Sequence, residues 1–222
     1  MNRTIPPRKA SGFTRTELLV VVAVLFLLAL VLVGWRVHEQ PKTRARVCVE
    51  NLKQIGTAFR VWPPASGSEY PMAVATNSGG SMEYILTGET FRHFLAMTNE
   101  LRNPRLLVCP ADNRQAVASF SAGLANTNIS YFVGVDAEEV RPQMLLSGDR
   151  AITNSAPQST RLLTITTNDP AGWSRSVHLA GGNILSADGS VQAGLDVTGL
   201  RRQIADGEKV FRAPMRLSMP LP

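Results

Sequence analysis

Between Leu18 and Val33 the chain carries no polar side chain at all. A helix that is apolar on every side belongs in a large core or in a bilayer. At 1.5 Å rise per residue, Leu18 to Trp35 makes a helix of roughly 27 Å, close to the hydrocarbon thickness of a membrane. Trp35 stands where an interfacial aromatic belongs. Arg3, Arg8 and Lys9 precede the run with no acid around them, a bias that holds a short N-terminus in the cytoplasm. A cleavable secretory signal fits less well. The apolar stretch is long for one, and Val33-Gly34-Trp35-Arg36-Val37-His38-Glu39 offers no small-residue cleavage site.

The net charge is +6, from 23 Lys and Arg against 17 Asp and Glu. The three basic residues before the span account for half of it. What remains creates no unusual field, and no nucleic-acid partner is expected. A second basic cluster, Arg36, Lys42, Arg44 and Arg46, reads as the solvated stretch where the helix leaves the bilayer, against lipid headgroups.

The junction before the span reads Ser11-Gly12-Phe13-Thr14-Arg15-Thr16-Glu17-Leu18-Leu19. A carboxylate abutting an apolar span is costly, about 2.5–3.5 kcal/mol or more if drawn to the bilayer centre, and usually has a functional partner. A basic leader, then Gly-Phe-Thr-x-x-Glu-Leu-Leu and an apolar helix, resembles the cleavage and methylation motif of type IV prepilins and type II secretion pseudopilins. The resemblance implies cleavage between Gly12 and Phe13 by a prepilin peptidase and methylation of the new N-terminal Phe13. It also implies that Glu17 neutralises the terminal amine of a neighbouring pilin-like subunit. A buried carboxylate and ammonium are tolerable only as a pair. Arg15-Thr16 is more polar than the usual pattern.

Pro41 predicts a kink or interruption in the helix. Beyond it, Cys48, Leu52, Ile55, Phe59 and Trp62 fall on one helical face. The expected division is a leader (1–12), a transmembrane and filament-core helix (13–40), its amphipathic continuation (41–62) and an extracytoplasmic head (63–222). The fold class expected is α+β and pilin-like, a long N-terminal helix packed on a small antiparallel β-rich head.

Within the head, Ile129–Val135 and Leu162–Thr167 have strand character. Ser176–Ala180, Asn183–Ala187 and Ser190–Ala193, separated by Gly181-Gly182 and Asp188-Gly189, read as a three-stranded meander near 176–193 with two tight turns. Asp196 is placed to cap a helix over about 197–205. His178, nine residues, then Asp188-Gly189 also resembles a bacterial group with prepilin-type N-termini and a domain of unknown function. Cys48-Val-Glu-Asn-Leu-Lys-Gln-Ile55 and Cys109-Pro110-Ala111-Asp112 are similar to two further signatures of that group.

The head is expected outside the inner membrane, where disulfides persist. A Cys48–Cys109 bridge would close a loop of about 60 residues and contribute roughly 4 kcal/mol; two separate buried thiols are the alternative. His178 and Asp188 suit a general base and its orienting carboxylate, but no G-x-S-x-G setting accompanies them. A structural role, with Asp188-Gly189 as a turn, explains them better. Asp169, Asp188, Asp196 and Asp206 are too dispersed for a calcium loop, and the scattered histidines give no zinc spacing. No cofactor, metal or catalytic residue is expected. The sequence thus reads as a single-pass anchored filament subunit, with inner-membrane assembly machinery and the lipid bilayer as its further partners. A membrane-tethered binding module that never polymerises, and a tethered hydrolase using His178, are the rivals.

Overall fold

The computed structural model describes residues 14–62, 69–154, 161–178 and 181–221, and the backbone alone for 33–42. The fold is α+β, with an N-terminal apolar helix and a six-stranded antiparallel sheet. The chain divides into two compact units, Met1–Pro41 and Lys42–Pro222.

Helix α1 (Arg15–Val61) starts in the first unit and ends in the second. Its helical backbone continues through Pro41 rather than being interrupted there. Proline removes one backbone hydrogen bond, and keeping a helix going across one lost bond costs less than ending it and nucleating another.

In the second unit, α1 buries Cys48, Leu52, Ile55, Phe59 and Trp62, the face expected from their spacing. Gly56 brings this face close to the sheet, since a Cβ there would stand 2.8 Å from Leu185 Cδ1. The helix also makes polar attachments. Asn51 Nδ2 donates to the Val108 carbonyl at 3.0 Å and Trp62 Nε1 to the Ala96 carbonyl at 2.9 Å. Two short helices follow, α2 (Thr90–Leu95) and α3 (Thr98–Leu101).

The strands are β1 (Tyr131–Gly134), β2 (Leu145–Asp149), β3 (Ile152–Thr153), β4 (Leu162–Ile165), β5 (Gly172–Trp173), β6 (Gly182–Ser186), β7 (Val191–Leu195) and β8 (Met215–Ser218). The large sheet has the order β4-β8-β1-β2-β6-β7, and β3 pairs with β5 in a separate ribbon. Its central strands β1, β2 and β6 are buried along their whole length. Helix α4 (Val197–Phe211) follows β7, its first turn capped by Asp196, whose Oδ1 accepts from the Gly199 amide at 2.7 Å. It runs past the expected stop near residue 205 because Leu200, Ile204 and Gly207 keep one face against the sheet.

The expected meander is a hairpin of two strands, β6 and β7. Asp188-Gly189 makes its turn: Gly189 has φ +85°, and the Asp188 carboxylate accepts from the Ser190 amide at 2.8 Å. Residues 176–178 are turn and bend, not strand, and 179–180 lie outside the described residues. Gly181-Gly182 is no turn, for Gly182 opens β6. The pair answers to close approach instead. A Cβ at Gly181 would press on the Leu195 carbonyl, and one at Gly182 would collide with the Trp173 ring.

Candidate functional site

In the first unit the site is the start of α1. Gly12 and Phe13, the expected cleavage and methylation residues, lie outside the described residues. Glu17 sits in the first turn of the helix. Its Oε2 accepts from both the amide and the hydroxyl of Thr14 at 2.8 Å, and the Glu17 amide donates to Thr14 Oγ1 at 3.3 Å. This is a reciprocal capping box, satisfying helix-end donors that have no partner inside the helix. The T-x-x-E pattern before an apolar run signals such a box, a local role for Glu17 beside the one that the resemblance implies. From Arg15 to Leu32 the helix is long and apolar enough to cross a membrane, and every residue of it is exposed.

In the second unit a polar cluster gathers at the end of β2. Cys48 and Cys109 form a disulfide, with Cα atoms 5.0 Å apart and both residues fully buried. His178 Nε2 stands 3.6 Å from Cys109 Sγ and 3.3 Å from Asp149 Oδ2. The carboxylate of Asp149, the last residue of β2, is fully buried. Its Oδ2 also accepts from the Asn183 amide at 2.7 Å and from Asn183 Nδ2 at 2.8 Å, while Oδ1 has no hydrogen-bond partner among the described residues. Asn183 Oδ1 in turn accepts from the Gly194 amide at 3.0 Å, tying β6 to β7 at the register shift between them. The bond with Asp149 holds the His178 ring above the ordinary imidazole value, against the opposing effect of burial.

His178 therefore pairs with Asp149, not with Asp188, which the hairpin turn uses up. The polar atoms placed near its ring nitrogen belong to Asp149, Asn183 and Cys109, and none of these is a hydroxyl nucleophile. Beside the ring opens a cavity of about 670 Å³, lined by Ala45, Val49 and Lys53 of α1 and by Gly181, Asn183 and Gly194 of the hairpin. Asp149 escaped the sequence reading because nothing local marks it. It is a strand-end acid whose partners are 29 and 34 residues away.

The Cys-Pro-Ala-Asp segment has a structural explanation. The side chain of Asp112 is buried and takes Arg150 Nε and Nη2 at 2.7 and 2.8 Å, a two-pronged pair. This pins the stretch after Cys109 to the end of β2. Arg114 fills the next space, donating to the carbonyls of Asn126, Ile129 and Pro220. Of the acids considered for calcium, Asp169 closes its own turn on Thr166, Asp188 serves the hairpin, Asp196 caps α4 and Asp206 lies exposed. Against family models, curated proteins and solved structures, the chain shows no match.

Proposed function

We propose that this chain is a membrane-anchored pilin-like or pseudopilin subunit, cut after Gly12 and assembled through its apolar helix into a filament at the inner membrane. The observation that carries the reading is the order of elements at the N-terminus. A basic leader, Gly12-Phe13, an acid at residue 17 and a helix exposed and apolar from Leu18 onward follow one another. A segment with so much exposed apolar surface needs lipid or sister helices around it. A neighbour's α-ammonium would give Glu17 a partner of opposite charge when the helices leave water. The extracytoplasmic head, clamped by its disulfide, is then the part that faces outward.

Two experiments test this. Intact and N-terminal mass spectrometry on protein from its native membrane should find a mature chain starting at N-methylated Phe13. A chain still carrying its leader would instead make it a tethered head that does not polymerise. The capping box supplies the second test. Glu17→Gln keeps the cap, because Gln serves at that position as Glu does, but removes the charge. Loss of co-purification with other pilin-like subunits in Glu17→Gln is the expected result. Unchanged co-purification would reduce Glu17 to a helix cap.

A further inference from the structure

Cys48, Cys109 and His178 are far apart in sequence and their spacing resembles no metal motif. The fold brings them together: one sulfur from each cysteine and a ring nitrogen of His178 all lie within 4.8 Å of one another. We propose that, once its cystine is reduced, the head binds a thiophilic dication of the Zn²⁺ type on Cys48, Cys109 and His178, so that metal and disulfide are alternative occupants of one site.

Three observations support it beyond proximity. The first is distance. With metal–sulfur bonds of about 2.3 Å and metal–nitrogen bonds of about 2.0–2.1 Å, a tetrahedral site places S and N roughly 3.6 Å apart. Cys109 Sγ and His178 Nε2 are 3.6 Å apart already. Two sulfurs on one such metal stand about 3.8 Å apart, a separation within reach of rotamer changes when the Cα atoms are 5.0 Å apart.

The second is charge. A cystine is neutral and asks for no histidine or carboxylate beside it. Here an imidazole is held against the bridge by a fully buried carboxylate that still has one oxygen without a hydrogen-bond partner among the described residues. Nε2 itself faces Asp149 Oδ2, so a metal bound there takes the place of the proton in that contact, and the buried carboxylate beside it offsets the charge of the cation. Bare thiolates in this fully buried place would be costly. A coordinated cation makes them tolerable.

The third is access. Both cysteines are sealed, but His178 borders the cavity between α1 and the β6–β7 hairpin. The small side chains of Ala45, Gly181 and Gly194 keep that approach open to an ion.

The chemistry balances with a dithiol as reductant. Its two thiols become a disulfide, the Cys48–Cys109 bond takes up the two electrons, and two protons pass to the cysteine sulfurs. Binding of the dication then releases those two protons, along with any proton on His178 Nε2.

The test uses the full chain in detergent micelles, reduced with a phosphine under argon and titrated with Co²⁺ as a coloured stand-in for Zn²⁺. Thiolate-to-cobalt charge-transfer absorption should saturate at one equivalent and disappear when Zn²⁺ is added. The oxidised chain should give none. His178→Ala and the better-filling His178→Gln should each weaken binding by about tenfold or more, the scale on which losing even an outer partner acts. Near-ultraviolet circular dichroism of the oxidised variants checks that both still fold. No charge-transfer band in the reduced chain would overturn the proposal. So would equal affinity with and without His178, or a head that unfolds on reduction and is not restored by metal.

Discussion

Two stretches of the same helix behave in opposite ways. Phe26 is 64% exposed and Leu25 60%, whereas Phe59 is 1% exposed and Leu52 fully buried. Both stretches are helical and both carry large apolar side chains. The first is apolar on all sides and exposed among the described residues; the second confines its apolar groups to one face, with Glu50, Lys53 and Arg60 directed to solvent. The amount of apolar surface marks a helix for lipid or for sister subunits, and the arrangement of that surface marks one for a protein core.

Mutations at matched positions test the contrast most sharply. Phe59→Ala should cost the head about 3–5 kcal/mol by leaving a cavity beside Tyr70 and Phe94. Phe26→Ala should leave the head's denaturation midpoint where it was. Equal losses at the two positions would end the distinction. Next in size is the covalent link, which attaches the buried stretch to the segment at Cys109. Replacing both cysteines by Ala should lower head stability by about 4 kcal/mol on the chain-entropy treatment. Denaturant unfolding would measure this, with no effect expected on membrane fractionation.

The reverse experiment places a charge in the exposed stretch. Leu25→Arg should cost about 2.5–3.5 kcal/mol of insertion, shifting the chain from the membrane pellet towards soluble or degraded fractions. Head unfolding should not change. The smallest effects are those of pH, and they reach only the packed unit. Burial pushes the His93 imidazole down from its ordinary value of 6.5 to about 4. A base neutral in the fold binds its proton more readily when unfolded. Its contribution is therefore present above pH 6.5 and is lost as pH falls towards about 4. His178 has the opposite sign, because Asp149 raises its value. Its contribution is present below the ordinary imidazole range and fades as pH rises through the raised value. Unfolding midpoints across pH should show both limbs, with His93→Gln flattening the acid one and His178→Gln the alkaline one.

Much of this layout was legible from residue types and spacing. The apolar helix, the buried face from Cys48 to Trp62, the Asp188-Gly189 turn and the Asp196 cap each depend on neighbours within a few residues. So does the Glu17 capping box, which four consecutive residues would have disclosed. The misreadings arose where a local signal had a distant cause. Gly181-Gly182 looks like a turn, yet its glycines are needed because Trp173 and Leu195 crowd that backbone. Pro41 reads as a kink or a break, and the break is absent, since the helical backbone runs through it. At Asp188 the preferred reading as a turn residue holds, since its carboxylate folds back onto its own backbone; the acid that His178 does meet, Asp149, had no local signal.

The sequence by itself determined where the chain is apolar all round, where it is apolar on one side, and where it must turn, because periodicity and backbone conformation are set by near neighbours. The expected Cys48–Cys109 bridge is present, but only the tertiary structure decided which polar residues meet: His178 with Asp149, and Asp149 with Asn183. Those meetings depend on the order in which the strands join the sheet. β2 lies between β1 and β6, so an acid at its end reaches groups that no spacing in the chain could have announced.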